Sequence, residues 1–214
     1  MKTTHLLQDN AIICKDVKRI QDIHLKTKNV VVYQRGIAAL EGELVQAVKL
    51  PIEFRTTGTV EEITFSLSNY FARVLLGYVR LLEDILHLLE LFEQVTKVSS
   101  FRIVLATVTT TMCPRFHADN NELRMLCTYS GPGTLWLPDH AVDRKAYHRG
   151  KGNQNILPDE GCIQQADTGD VVILKGALYP GATPVLHRSP NIKGKEEERL
   201  LLSIDNNESL QLSL

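Results

Sequence analysis

A chain of 214 residues, 43% hydrophobic and 23% charged, can bury a sizeable core and fits one domain. Its formal net charge of -1 leaves no basic excess to displace counterions from a nucleic-acid backbone, so no nucleic-acid partner is expected. The opening MKTTHLLQDN holds no apolar run of signal-peptide length, and the cysteines (Cys14, Cys113, Cys127, Cys162) include no C-x-x-C pair. A cytoplasmic protein with reduced thiols and no membrane association is expected.

Residues 1–100 read as mainly helical. NVVVYQRG from Asn29 is a short strand candidate, and IAALEGELVQAVKL is a helix stopped by Pro51. Between residues 68 and 97 the polar positions are Arg73, Gly77, Arg80, Asp84, His87, Glu90, Gln94 and Lys97. Spacing by threes and fours draws one narrow polar stripe on a single long helix. Its charges exclude a bilayer, so it is expected to lie buried across a sheet or at a homodimer contact.

From residue 101 the texture changes to strands: FRIVLATVTT, ELRMLCTY, TLWL, GCIQQA, DVVILKG, TPVLHRS and RLLLSID, punctuated by turns. The polar, aperiodic residues 138–160 are expected to form a solvated loop or a lid. The expected architecture is α+β in one domain, 1–214, with a helical layer (1–100) packed on a C-terminal antiparallel β-barrel (101–214).

In TTTMCPRFHAD, His117 and Asp119 stand two apart, which on a strand puts both on one face. An imidazole and a carboxylate suit a divalent metal, and His187 in TPVLHRSP can complete a two-histidine, one-carboxylate facial triad. On the last strand Leu200, Leu202 and Ile204 alternate with Arg199, Leu201 and Ser203. If the aliphatic face meets the helices, Arg199 points inward, where a buried guanidinium requires an anionic partner such as a dicarboxylate.

The order H-x-D, a G-D-V strand, a second His, then G-x-x-x-x-R resembles the Fe(II)/2-oxoglutarate-dependent dioxygenases over residues 101–205. CPRFHAD, LRMLCTYSGPGTLWL and VLHRSP are similar to an uncharacterised bacterial domain-of-unknown-function family. The dioxygenase resemblance implies a double-stranded β-helix (jelly-roll, cupin-like) barrel. It also implies iron held by His117, Asp119 and His187, and 2-oxoglutarate bound through its distal carboxylate by Arg199, with Ser203 nearby. The implied reaction oxidises a C–H bond of an unknown small-molecule or protein substrate as 2-oxoglutarate is decarboxylated to succinate. Ser203 stands four after Arg199, where the dioxygenases often carry R-x-S, so Arg124 or Lys175 remains open as the carboxylate partner.

Around the triad, Arg115 is placed to share the face of His117 and pair with Asp119 or an anionic ligand, while Arg188 is expected to point away. Trp136 is either a stacking platform or core, and His140 and His148 either close over the site or stay exposed. A thiolate from Cys113 would favour zinc. The alternative reading is therefore a non-catalytic metal-binding or metal-sensing barrel, zinc-loaded and linked to metal homeostasis. A third has His117 and His187 bonded structurally with no metal. No P-loop, G-x-G-x-x-G, G-x-S-x-G or H-E-x-x-H occurs.

Overall fold

β-branched and apolar runs set the centre of the molecule, whose computed structural model describes residues 10–192 and 198–206. The strands in chain order are β1 (Ala11–Cys14), β2 (Val30–Tyr33), β3 (Glu53–Gly58), β4 (Phe101–Val108), β5 (Leu123–Ser130), β6 (Leu135–Trp136), β7 (Gln164–Gln165), β8 (Val171–Lys175), β9 (His187–Arg188) and β10 (Arg199–Asn206). The helices are α1 (Glu41–Ala47), α2 (Val60–Val74), α3 (Val79–Thr96), α4 (Arg144–His148) and α5 (Asn153–Ile156). Gly194, in the turn expected before β10, lies outside the described residues.

Seven strands form one sheet in the order β1-β2-β8-β5-β10-β4-β3, antiparallel except for the β1–β2 pair. Three short strands form a second sheet, β7-β6-β9. Each expected strand of the second half is present. The first half holds more strand than its composition suggests, because β1 and β3 join β2 in the large sheet.

Period-two alternation gives that sheet two different faces. One carries the row Phe54, Leu105, Leu202, Cys127 and Val171, and beside it Ile103, Ile204, Met125, Ile173 and Val31. These pack against Ile63, Leu67 and Phe71 of α2 and Leu81, Ile85, Leu88 and Phe92 of α3 in the main core. Burying each such side chain contributes about 1.5–3 kcal/mol, so this contact carries most of the fold. The other face carries the row Arg55, Val104, Ser203, Leu126 and Val172, and the row Thr57, Arg102, Asp205, Arg124 and Leu174. The small sheet covers part of this second face, with Trp136 packed on Leu126, Val172 and Leu174.

The long helix expected over residues 68–97 is two helices. α2 starts on a capping box between Thr59 and Glu62 and stops at Leu75, and α3 starts after Tyr78. Gly77 between them has φ of +68°, a conformation that costs an L side chain about 1 kcal/mol or more. The polar stripe runs on unbroken in sequence because the four-residue break preserves the period. Most of the apolar circumference is spent on the core of this chain, although Phe65, Leu76 and Val79 stay exposed. Among the described residues no helix is long and apolar enough to cross a membrane.

Candidate metal centre

The chain leaves β4 at Val108 and reaches β5 at Leu123 through a loop that makes one β-bridge, His117 opposite His187 of β9. Both backbone bonds of that pair form, His117 N to His187 O at 3.0 Å and His187 N to His117 O at 2.9 Å. The imidazole centroids come to 4.5 Å. His117 and Asp119 do not lie on a regular strand as their spacing suggests, since Asp119 follows the bridge in irregular backbone. They still converge, because the turn after β8 grips this loop: Ala177 N donates to Asp119 O at 2.8 Å and Gly176 N to Glu122 O at 2.8 Å.

The side chains meet in one place. Asp119 Oδ2 lies 3.2 Å from His187 Nε2, and Asp119 Oδ1 lies 3.5 Å from His117 Nε2 and 2.7 Å from Arg124 Nη1. One ligand atom from each of His117, Asp119 and His187 falls within 4.8 Å of the others. His117 Nδ1 lies 3.0 Å from the Arg115 carbonyl, which accepts its proton and leaves Nε2 turned to the carboxylate. Burial pushes the Asp119 carboxyl up, but hydrogen bonds from both histidines and the Arg124 charge hold it far below the ordinary carboxylate range. The same hydrogen bond to Asp119 raises His117, against the opposing effect of its burial.

Residues 138–160 are neither structureless nor detached. They form α4 and α5, insert Ile156 and Leu157 beside Phe116, Leu137 and Leu186, and splint the histidine-bearing loop. Asn153 accepts from Phe116 N at 3.0 Å and donates to Pro114 O at 2.9 Å, and Tyr147 Oη accepts from Ala118 N at 3.2 Å. His140 and His148 are exposed. Arg115 bonds the Gly150 and Lys151 carbonyls instead of Asp119.

Gly176 is where the supporting turn passes closest to the loop: a Cβ there would stand 2.2 Å from Asn121 O. Gly176→Ala is therefore expected to cost about 1–3 kcal/mol, as overpacking does. It should also displace Asp119, so that metal affinity falls along with the urea midpoint. A variant that lost stability but kept its metal affinity would detach the turn from the site.

A cavity of about 200 Å³ opens beside the histidines along the second face of the large sheet, past Val104, Leu126, Leu201 and Ser203. Arg124 also lines it, but its guanidinium is engaged, with Nε and Nη2 on Asp205 at 2.6 and 3.0 Å and Nη1 on Asp119. Arg199 begins β10, pairs across the sheet with Val108 of the cavity wall, and is 1% exposed. Its Nη2 donates to Thr128 Oγ1 at 3.1 Å, its Nε has no partner, and no carboxylate pairs with it among the described residues. Lys175 lies on the opposite, helical face, buried, with Nζ on the Leu25 carbonyl and over the Tyr179 ring. It is neither in water nor near the cavity. Trp136 is core. Arg188 turns back over the Phe116 ring and lines the cavity instead of leaving it. Cys113 is exposed at the cavity and is not one of the three grouped ligands.

A search for similar curated proteins found no match. Among solved structures, the chain is similar to the dioxygenase for auxin oxidation 1 of Arabidopsis thaliana in its 2-oxoglutarate binary complex. That likeness has a TM-score of 0.47 and 10% identity, over 92% of this chain and 91% of that one. It is similar to HygX from Streptomyces hygroscopicus with iron bound (TM-score 0.47, 15% identity, 89% and 86% covered). It is also similar to a Pseudomonas putida prolyl-4-hydroxylase (TM-score 0.45, 13% identity, 89% and 98% covered). At these scores and identities the likenesses supply no residue-by-residue correspondence. The family match is of another order: it spans residues 14–205, which takes in every strand from β2 to β9, both candidate histidines and Arg199, and the chain belongs to DUF1826, a family of proteins of unknown function.

Proposed function

We propose that this protein is an iron(II)- and 2-oxoglutarate-dependent oxygenase, its two sheets forming a double-stranded β-helix around the cavity. The observation that carries the reading is the convergence of His117, Asp119 and His187 within 4.8 Å at the cavity's edge. The donor set fits iron: two imidazoles and one carboxylate, with no thiolate among the grouped atoms. Asp119 Oδ2 is buried and faces His187 Nε2 at 3.2 Å, a contact that a metal held by both groups would replace. Iron with bound 2-oxoglutarate supplies dioxygen activation coupled to decarboxylation of the co-substrate, which serves to oxidise a substrate C–H bond.

The chain's residues divide the remaining tasks. His117, Asp119 and His187 hold the metal, and Arg124 orients Asp119 by fixing Oδ1. Arg199, with Thr128 and Ser203 on the same face, receives the distal carboxylate of 2-oxoglutarate in a water-poor recess. With Arg124 committed to two carboxylates and Lys175 on the other face, Arg199 is the guanidinium best placed to accept that group.

Metal must displace the proton that His117 shares with Asp119. Affinity is therefore expected to fall about tenfold per pH unit below the raised pKa of His117, with the decline beginning above the ordinary histidine value of about 6.5. Competition against a chromophoric chelator across that range measures it, and a flat profile would exclude His117 as a ligand.

Anaerobic titration of metal-free protein with Fe(II) and 2-oxoglutarate tests the assignment. A visible metal-to-ligand charge-transfer band is expected in wild type and absent from His187→Ala. Tight zinc binding without any band would replace the oxygenase by a metal-binding protein.

A further inference from the structure

The cavity at the metal centre carries more positive charge than the triad and co-substrate use. Arg55 of β3, Arg102 of β4, Arg124 of β5 and Arg188 of β9 line it, against one carboxylate, Asp205. Asp205 is taken by Arg124 at 2.6 and 3.0 Å and by Asn121 at 2.9 Å. The exposed side chain of Arg102 has no ion pair or hydrogen bond among the described residues. Arg55 reaches only Glu53, at 3.2 Å, in a pair so exposed that solvent screens it. The Nε of Arg188 is buried without a partner among the described residues, while its Nη1 donates to Pro114 O at 3.4 Å and the guanidinium stands 4.6 Å over Phe116.

The sheet register places two of these charges together. Arg55 pairs with Val104 and Arg102 with Thr57, so the arginines are diagonal neighbours on one face, a relation that brings long side chains within reach of each other. Two like charges so placed, one without a partner among the described residues and the other with only a solvent-screened one, repel each other, and an anion between them would relieve that repulsion. They also sit toward the other end of β10 from Arg199: Arg102 pairs with Asp205, near the end of that strand, whereas Arg199 opens it. A molecule held by Arg199 leaves the Arg55–Arg102 pair unanswered.

We propose that Arg55, Arg102 and Arg188 form an anion-binding rim that selects a small organic acid or phosphate monoester. The word substrate for that molecule rests on the oxygenase reading, but the anion site does not. A cavity of about 200 Å³ admits one end of a small molecule beside a co-substrate, and bidentate guanidinium contacts then hold its charged end at the mouth.

The test uses phenyl phosphate and benzoate as probes, with phenol and benzamide as neutral controls, titrated calorimetrically into the metal-free full chain. Both anions are expected to bind wild type, with affinity falling as salt rises, and neither control should bind. The Arg55→Ala/Arg102→Ala double variant is expected to lose about tenfold or more, as a charge-assisted contact does. No binding to wild type, equal binding of the neutral controls, or wild-type affinity in the double variant would each overturn the rim. Because the probes are titrated without metal or 2-oxoglutarate, a missing charge-transfer band would sink the oxygenase and leave this result standing.

Discussion

Arg199→Met is expected to make the metal-free protein more stable and to abolish its response to 2-oxoglutarate. Arg199 is buried to 1% exposure, and among the described residues its guanidinium has one hydrogen bond, to a neutral hydroxyl, and a bare Nε. Burial without an acid pushes its guanidinium down to about 10. A charge held this way opposes folding, and methionine fills similar space without it, so the gain should be about 1–3 kcal/mol. Ligand binding reverses the ranking. With metal present and 2-oxoglutarate at a hundred times its Kd, wild type should gain about 2.7 kcal/mol and the variant nothing. Thermal melts with and without the co-substrate should therefore cross. A variant that melts lower in both conditions would make Arg199 a structural residue and remove it from the pocket.

Asp119→Ala is expected to abolish metal binding and to destabilise even the metal-free chain. Its carboxylate answers Arg124 at 2.7 Å and both histidines. Removing one member of a buried pair typically costs 3–5 kcal/mol, and because Arg124 keeps both bonds to Asp205 the loss here should be about 3 kcal/mol. The pH dependence has a definite sign. A carboxyl whose folded pKa lies below its unfolded value of about 4 stabilises the protein above that pH and loses the contribution as acid protonates it. Urea unfolding of chelator-treated protein should thus weaken below about pH 4 in wild type, and Asp119→Asn should flatten that slope. Retention of the iron and 2-oxoglutarate band by Asp119→Ala would exclude the carboxylate as a ligand.

The strands were legible where composition and period agree. FRIVLATV and DVVILK are buried, β-branched runs, and the alternation of Leu200, Leu202 and Ile204 correctly assigns the helical face of β10. β3 was missed because EFRTTG is half-exposed at the sheet's edge and its apolar signal is one phenylalanine. Gly77 was absorbed into a polar stripe, since periodicity does not register a left-handed residue that keeps phase.

The grouping of His117 and Asp119 with His187 was suggested by residue type and motif order, but the means of their convergence could not be read. It depends on a cross-chain bridge and on the turn at 176–178, contacts separated by more than fifty residues. Arg124 likewise shows its commitment only once the register brings Asp205 beside it. The order within residues 138–160 came from Ile156 and Leu157, two apolar residues in a polar stretch, which is too weak a period to read.

The position of β10 has a consequence for how the molecule is made. The last strand in chain order among the described residues is inserted between β5 and β4, so both carry an open edge until residue 206 has been synthesised. Those edges are long and apolar, the kind that recruits foreign strands. Folding must then wait for the final strand instead of proceeding domain-part by domain-part on the ribosome, and β10 joins partners about a hundred and about seventy-five positions back, a slow closure by contact order. A nascent chain stalled before β10 should be a chaperone client, and the same strand that carries the buried Arg199 would act as the molecule's folding checkpoint.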